Sequence, residues 1–170
     1  MNILVLNGSP RANGNTAFLV DAFKAGAESN GNIVSVISVG TKNIVGCTGC
    51  NYCRQSSTGT CCQIDDMPEV YQAVKKADMV VFASPVYYWT LTSQLQATIT
   101  RFYALGIPSV KKYAMILSSG SPNVYDAIEA QYRSILSFFG AQDCGIRTAY
   151  GENNKTDAAA EQMRAFGASL

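Results

Sequence analysis

The fold is decided by the stretch "NILVLNGSPRANGNTAFLV", residues 2–20. "ILVL" is an unbroken apolar run of strand length, "NGSPRANGNT" is punctuated by Gly, Pro and Asn, and "TAFLV" opens an amphipathic stretch of helical length. Strand, loop and helix in that order begin a βαβ unit, and the alternation continues along the chain. Strands are expected at 2–6, 32–39, 79–84, 113–118 and 144–150, and helices near 16–30, 67–76, 93–105, 124–139 and 157–168. "ILVL", "MVVFA" and "AMIL" are continuously apolar, as central strands covered on both faces must be, whereas "IVSVISV" alternates and suits a place nearer the edge. The expected architecture is α/β: a single doubly wound five-stranded parallel sheet, helices on both faces, residues 1–170 forming one domain.

Composition narrows the function. The chain has 170 residues, 48% hydrophobic and 15% charged, with a net charge of +1. That balance gives no electrostatic reason to expect nucleic acid or an anionic membrane as partner. The apolar run after Met1 has no basic flank or cleavage pattern and reads as a first strand, and no run approaches the roughly 18–20 apolar residues of a membrane span. A cytoplasmic location is the expectation. There is no histidine, which removes the usual general base, Ser-His and Cys-His nucleophiles and every imidazole metal site.

The loop after the first strand has the makings of an anion site. Backbone N–H groups converge at a helix N-terminus, and Ser9, Asn13, Asn15 and Thr16 add donors beside the charge of Arg11. It lacks both the G-x-x-x-x-G-K-[ST] and the G-x-G-x-x-G spacing, and no acidic residue ends the second strand to hold an adenosine ribose. A mononucleotide phosphate fits better than a dinucleotide or a triphosphate. A plain turn capped by Asn15 or Thr16 is the alternative.

In a sheet of order 2-1-3-4-5, the ligand crevice opens between the loops after the first and third strands. The third strand's loop is "SPVYYWTLT", 84–92. Pro85 fixes a turn, backbone N–H groups follow from Val86, and Tyr87, Tyr88 and Trp89 offer flat surfaces. Three consecutive aromatics cannot all face a core, so at least one is expected to meet a ligand or partner. A phosphate loop and an aromatic wall across one crevice call for a phosphate tail and a flat ring, which is the shape of flavin mononucleotide (FMN).

Five of the six cysteines fall in "GCTGCNYCRQSSTGTCC", residues 46–62, inside a long connection at about 40–66. Cys47, Cys50 and Cys53 at x2 intervals, with Cys61 or alternatively Cys62 as a fourth, form a set that a [4Fe-4S] cluster accepts. Zinc takes four thiolates too, although usually from two separated pairs, and thiols that only pack or cycle redox states remain open. Cys144 opens a strand and reads as a buried small hydrophobe. Asp65 and Asp66 precede a helix and suit its dipole, Arg101 faces either solvent or a neighbouring subunit, and "GENNKT", 151–156, is an ordinary polar turn.

Taken together, "NILVLNGSPRANGNTAFLV", "VGCTGCNYC", "CQIDDM", "ADMVVFASPVYYWTLTSQLQATITRFYAL" and "SSGS" resemble the flavodoxin-like family of NADPH-dependent FMN reductases, WrbA-like quinone reductases and iron-sulfur flavoproteins. The resemblance implies that Ser9, Arg11, Asn13, Asn15 and Thr16 bind the FMN phosphate. It implies that Pro85, Val86, Tyr87, Tyr88 and Trp89 flank the isoalloxazine, and that Ser119 and Gly120 lie near the ring or ribityl chain. Trp89-Thr90-Leu91 stands where the family usually carries a smaller, glycine-bearing stretch. The resemblance further implies a homodimer or homotetramer with FMN and, through the cysteine loop, a [4Fe-4S] cluster. Electrons would pass from NAD(P)H or ferredoxin to a small acceptor such as a quinone or flavin; the alternative is a non-enzymatic electron carrier or redox sensor. No general acid or base is assigned.

Overall fold

A computed structural model describes residues 1–57 and 59–170. Five parallel strands, β1 (Asn2–Asn7), β2 (Ile33–Ile37), β3 (Met79–Pro85), β4 (Lys112–Ser119) and β5 (Gln142–Tyr150), form one sheet of order β2-β1-β3-β4-β5. The helices are α1 (Asn15–Ser29), the single turn α2 (Tyr52–Gln55), α3 (Met67–Lys76), α4 (Ser93–Arg101), α5 (Asp126–Phe139) and α6 (Asp157–Ala168). The expected α/β class, strand count and order are all found. The expected helix at 93–105 ends earlier: after Arg101 the chain tightens into a 3-10 turn, Phe102–Leu105, closed by Gly106 at φ 72°.

Period-2 alternation divides the strands between two core layers. Leu4 and Leu6 of β1, Phe82 of β3 and Met115 and Leu117 of β4 join side chains of α3, α4 and α5, among them Val70, Leu95, Ile128 and Tyr132. Ile3, Val5, Val81, Ala114 and Ile116 face the other way, onto Leu19 and Phe23 of α1 and Met163 and Phe166 of α6. β1, β3 and β4 are buried almost throughout because helices cover both faces. β2 alternates because it is an edge. The other edge, β5, carries an extra residue: Tyr113 pairs with Asp143 but Met115 with Ile146, and Gly145 takes up the bulge at φ 122°. Cys144 is half-buried against the α1/α6 layer, as a small hydrophobe there should be.

The register fixes where function can sit. β1 and β3 pair from Ile3–Met79 to Asn7–Ala83, and β3 and β4 from Met79–Lys112 to Pro85–Ser118. The loops leaving β1, β3 and β4 therefore emerge together at the carboxyl edge of the sheet, where open α/β sheets bind ligands.

Candidate functional site

At that edge lies a cleft of about 250 Å³. Ser9, Arg11, Asn15 and Thr16 line it from the first loop, Pro85, Val86 and Tyr87 from the third-strand loop, and Ser119 and Gly120 from the end of β4. All nine are residues singled out in the sequence. Asn13, Tyr88 and Trp89, also expected there, do not line the cleft.

The first loop is built to leave donors free. α1 begins at Asn15 with Gly14 at its N-cap, no side-chain cap bond and no acidic residue in its first turn. Neither Asn15 nor Thr16 caps the helix, so its first N–H groups keep their anion-binding capacity. Thr16 is buried and its hydroxyl meets that of Ser118 at 2.8 Å. Ser9 is buried, its N–H donating to Asn7 Oδ1 (2.9 Å) and its Oγ accepting from Arg11 N (3.2 Å). Gly40 supports this loop by absence of bulk: a Cβ there would come within 2.2 Å of the Ser9 carbonyl oxygen. Asn13 is exposed, and its carbonyl accepts from Lys155 Nζ at 2.8 Å.

The aromatic loop is a hairpin-like turn. Tyr87 and Thr90 exchange backbone hydrogen bonds of 3.0 and 3.1 Å, and the two residues between them, Tyr88 and Trp89, both have positive φ, 51° and 62°. That is the pattern of a type I′ turn, which favours Asn and Gly. Tyr88 is 91% exposed and meets Trp89 edge-on, with ring centroids 5.4 Å apart. Below the turn, Thr92 starts α4 by accepting from Leu95 N, and its hydroxyl donates to Gly8 O at 2.8 Å. The aromatic loop and the first loop are thereby locked together.

Four cleft-lining residues were not foreseen as site residues: Gly14, Ser118, Gly151 and Asn154. The last two belong to the 3-10 turn Gly151–Lys155 that follows β5. Asn154 is 2% exposed and its Oδ1 is buried without a partner. Alternating polarity could not have revealed it, because a turn has no periodicity.

The cysteine loop forms a second feature, on the α4 side of the sheet. Its two limbs are stitched together: Asp66 Oδ2 accepts from Asn43 N (2.8 Å), Asp65 Oδ2 from Val45 N (3.2 Å), and Gln63 Nε2 donates to Gly46 O (3.1 Å). The C-terminal half of α4 holds the loop from below, with Thr100 Oγ1 accepting from Cys47 N (3.1 Å). Arg54 of α2 donates to Tyr103 O (2.6 Å) and lies 4.8 Å over the Tyr103 ring. Arg101 is neither at a subunit contact nor in solvent. It is buried against Asp65, which also accepts from Met67 N at the start of α3. Asp65 therefore does more than meet a helix dipole: burial pushes its carboxyl up, but Arg101 and the N–H groups of Met67 and Val45 hold it below the ordinary value.

All six cysteines are free thiols. Cys50 and Cys62 bring their sulfurs to 3.8 Å. The Cys50 thiol is lowered by the backbone N–H of Tyr52, the Cys62 sulfur and Thr48, and Cys62 is raised by Cys50. Cys61 instead lines a separate cleft with Tyr71 and Arg101. Among the described residues no three metal-ligating side chains converge, so Cys47, Cys50, Cys53 and Cys61 are near in sequence without being gathered. No helix of the described residues is long and apolar enough to cross a membrane.

Comparisons with known proteins agree with this geometry. The model of the NADPH-dependent FMN reductase family matches residues 1–164. An iron-sulfur flavoprotein of Archaeoglobus fulgidus is 33% identical over 159 residues, which are 89% of this chain and 69% of that protein. Another, from Methanocaldococcus jannaschii, is 38% identical over 108 residues, 63% of this chain and 54% of that protein. The chain thus spans about two thirds of the first relative's length and about half of the second's. The fold of an NAD(P)H:quinone oxidoreductase from Methanothermobacter marburgensis covers 100% of this chain and 96% of its own, with a TM-score of 0.74 at 16% identity. With the cleft, the sheet order and a family match over nearly its whole length, the chain belongs to the NADPH-dependent FMN reductase family, whose members are FMN-dependent NAD(P)H oxidoreductases.

Proposed function

We propose that the carboxyl-edge cleft binds FMN and that the protein passes electrons from a reduced nicotinamide or ferredoxin-type donor to a small acceptor such as a quinone or flavin. The observation that carries this reading is the convergence of nine residues from three separate loops on one cleft. The residues fit the cofactor. Uncapped N–H groups of α1, Arg11 and the Ser9 and Thr16 hydroxyls suit its phosphate, and Pro85 to Tyr87 suit its ring. The cleft holds about 250 Å³ in the empty protein, less than the roughly 300–1,000 Å³ of pockets that enclose a whole ligand. FMN supplies hydride and one-electron chemistry; the protein binds, orients and shields it. The N–H groups of Val86 and Tyr87 are engaged within the protein, by Ser118 O and Thr90 O, so the third loop meets the ring with the surfaces of Pro85, Val86 and Tyr87. No side-chain acid or base is needed.

The cysteine loop fits a [4Fe-4S] cluster in donor chemistry and number, with Cys47, Cys50 and Cys53 as three ligands. Cys62 is the better-placed fourth, being beside Cys50, whereas Cys61 faces the Tyr71 cleft. A single folded unit and a homodimer or homotetramer in the cytoplasm complete the reading.

Two measurements test it. Titration of the apo-protein with FMN should give saturable quenching of flavin fluorescence, and its absence defeats the FMN assignment. An absorbance spectrum of protein purified without oxygen, before and after dithionite, should show flavin bands on a broad shoulder; flavin bands alone, fully bleached, would remove the cluster. Turnover with NAD(P)H and a quinone supports the enzyme, and reduction by ferredoxin alone supports an electron carrier.

A further inference from the structure

Asn154 sits in the turn after β5, in a segment whose sequence reads as a plain polar turn. Its Nδ2 donates to two carbonyls, Ser119 O at 2.8 Å and Gly151 O at 2.9 Å. Those bonds fix the amide's orientation, because exchanging its oxygen and nitrogen would set three oxygens against one another. The Oδ1 is then buried without a donor. Buried polar atoms in native proteins are almost always paired, and an exception asks for a reason.

Asn154 lines the cleft together with Ser9, Thr16 and Ser119, and its Oδ1, closed over in the empty protein, comes within reach of a ligand there once the atoms covering it are displaced. The next residue, Lys155, ties the same turn to the first loop through Asn13 O. The uncapped N–H groups of α1 and Arg11 can only donate, and the Ser9 and Thr16 hydroxyls can do so too. They suit a phosphate, which accepts. Asn154 Oδ1 can only accept, so it suits a part of the ligand that donates, and a phosphate dianion has none.

We propose that Asn154 is a cofactor-positioning residue whose Oδ1 accepts a hydrogen bond from a donor of the bound flavin nucleotide, either a ribityl hydroxyl or the imide N–H of the ring. The assignment rests on the reading of this cleft as the FMN site. It makes Asn154 a discriminator: it adds affinity for the flavin nucleotide over any ligand that offers only the phosphate.

The experiment is a binding matrix on the full chain, read by flavin fluorescence. Wild type and Asn154→Ala are each titrated with FMN, 3-methyl-FMN, which lacks the imide N–H, and FMN analogues with one ribityl hydroxyl replaced by hydrogen. In wild type one analogue should bind about tenfold or more weakly than FMN, because it leaves Oδ1 buried and unpaired. In Asn154→Ala that analogue and FMN should bind within about twofold of each other. Which analogue is penalised identifies the donor. A purely structural role for Asn154 would weaken all ligands by one common factor, and that result overturns the proposal. Should Asn154→Ala fail to fold, the wild-type series decides alone: indifference to every analogue removes the assignment. If wild type binds FMN but shows that indifference, only Asn154's role falls; if wild type binds no FMN, the cleft's reading falls with it.

Discussion

Arg101 and Asp65 form a buried two-pronged ion pair between the last residue of α4 and the end of the cysteine loop. Arg101 Nη1 lies 2.5 Å from Asp65 Oδ2 and Nη2 lies 3.3 Å from Oδ1, with both side chains no more than 2% exposed. The same Nη1 donates to Val45 O at 2.7 Å, so one guanidinium holds both limbs of the loop. Because Thr92 at the other end of α4 is bonded to Gly8, one helix joins the carboxyl-edge cleft to the cysteine loop.

Removing one member of this pair strands a buried charge. Arg101→Met is expected to cost about 3–5 kcal/mol, lowering the melting temperature by on the order of 10 °C. The double variant Arg101→Met/Asp65→Asn should be less destabilised than the sum of the singles. Urea denaturation of the four proteins measures this coupling, and additivity would show that the pair is not closed in solution.

The pair also sets an acid limit. Asp65 has its carboxyl depressed in the folded state, so its contribution is complete above the unfolded value of about 3.9 and is lost as pH falls below that through the folded value. Stability followed from pH 6 down to pH 2 should fall more steeply in wild type than in Asp65→Asn. Parallel curves would mean that Asp65 titrates normally.

Tyr113 presents the opposite case. Its side chain is fully buried between Phe82 and Phe139, and its hydroxyl has no partner. Burial alone raises its ionisation far above the ordinary range. Tyr113→Phe removes an unsatisfied hydroxyl and should leave stability unchanged or raise it by up to about 1 kcal/mol. A clear loss in thermal denaturation would reveal a bound water or another donor at that hydroxyl.

The aromatic turn stores strain at its tip. A left-handed conformation costs a non-glycine residue roughly 1–2 kcal/mol, and Trp89 adopts it while 55% exposed. Trp89→Gly should therefore raise the melting temperature by a few degrees while weakening FMN binding if the indole flanks the ring. A fall in melting temperature of the apo-protein would show that indole contacts outweigh the backbone cost.

Gly40 tests the support of the loop after β1. Its added methyl would press on the Ser9 carbonyl, so Gly40→Ala should weaken FMN binding by about tenfold or more, given that displacements near 1 Å at such sites carry costs of that order. Unchanged affinity in a fluorescence titration would mean that the loop can shift without harm.

Much of this molecule is determined by local sequence. Apolar runs at strand length alternate with amphipathic stretches at helix length, and that pattern is written in neighbouring residues, so the order of elements could be read directly. The nine cleft residues followed because each lies at the end of a strand, in the loop after it or in the first turn of the next helix. Tertiary structure decided the rest, because it depends on residues far apart in the chain. Arg101 meets Asp65 across 36 positions and Asn154 meets Ser119 across 35, and no spacing rule links such pairs. The cysteines mark the same boundary: their type and clustering announce thiol chemistry, while the path of the backbone decides that Cys62, and not Cys61, comes to Cys50.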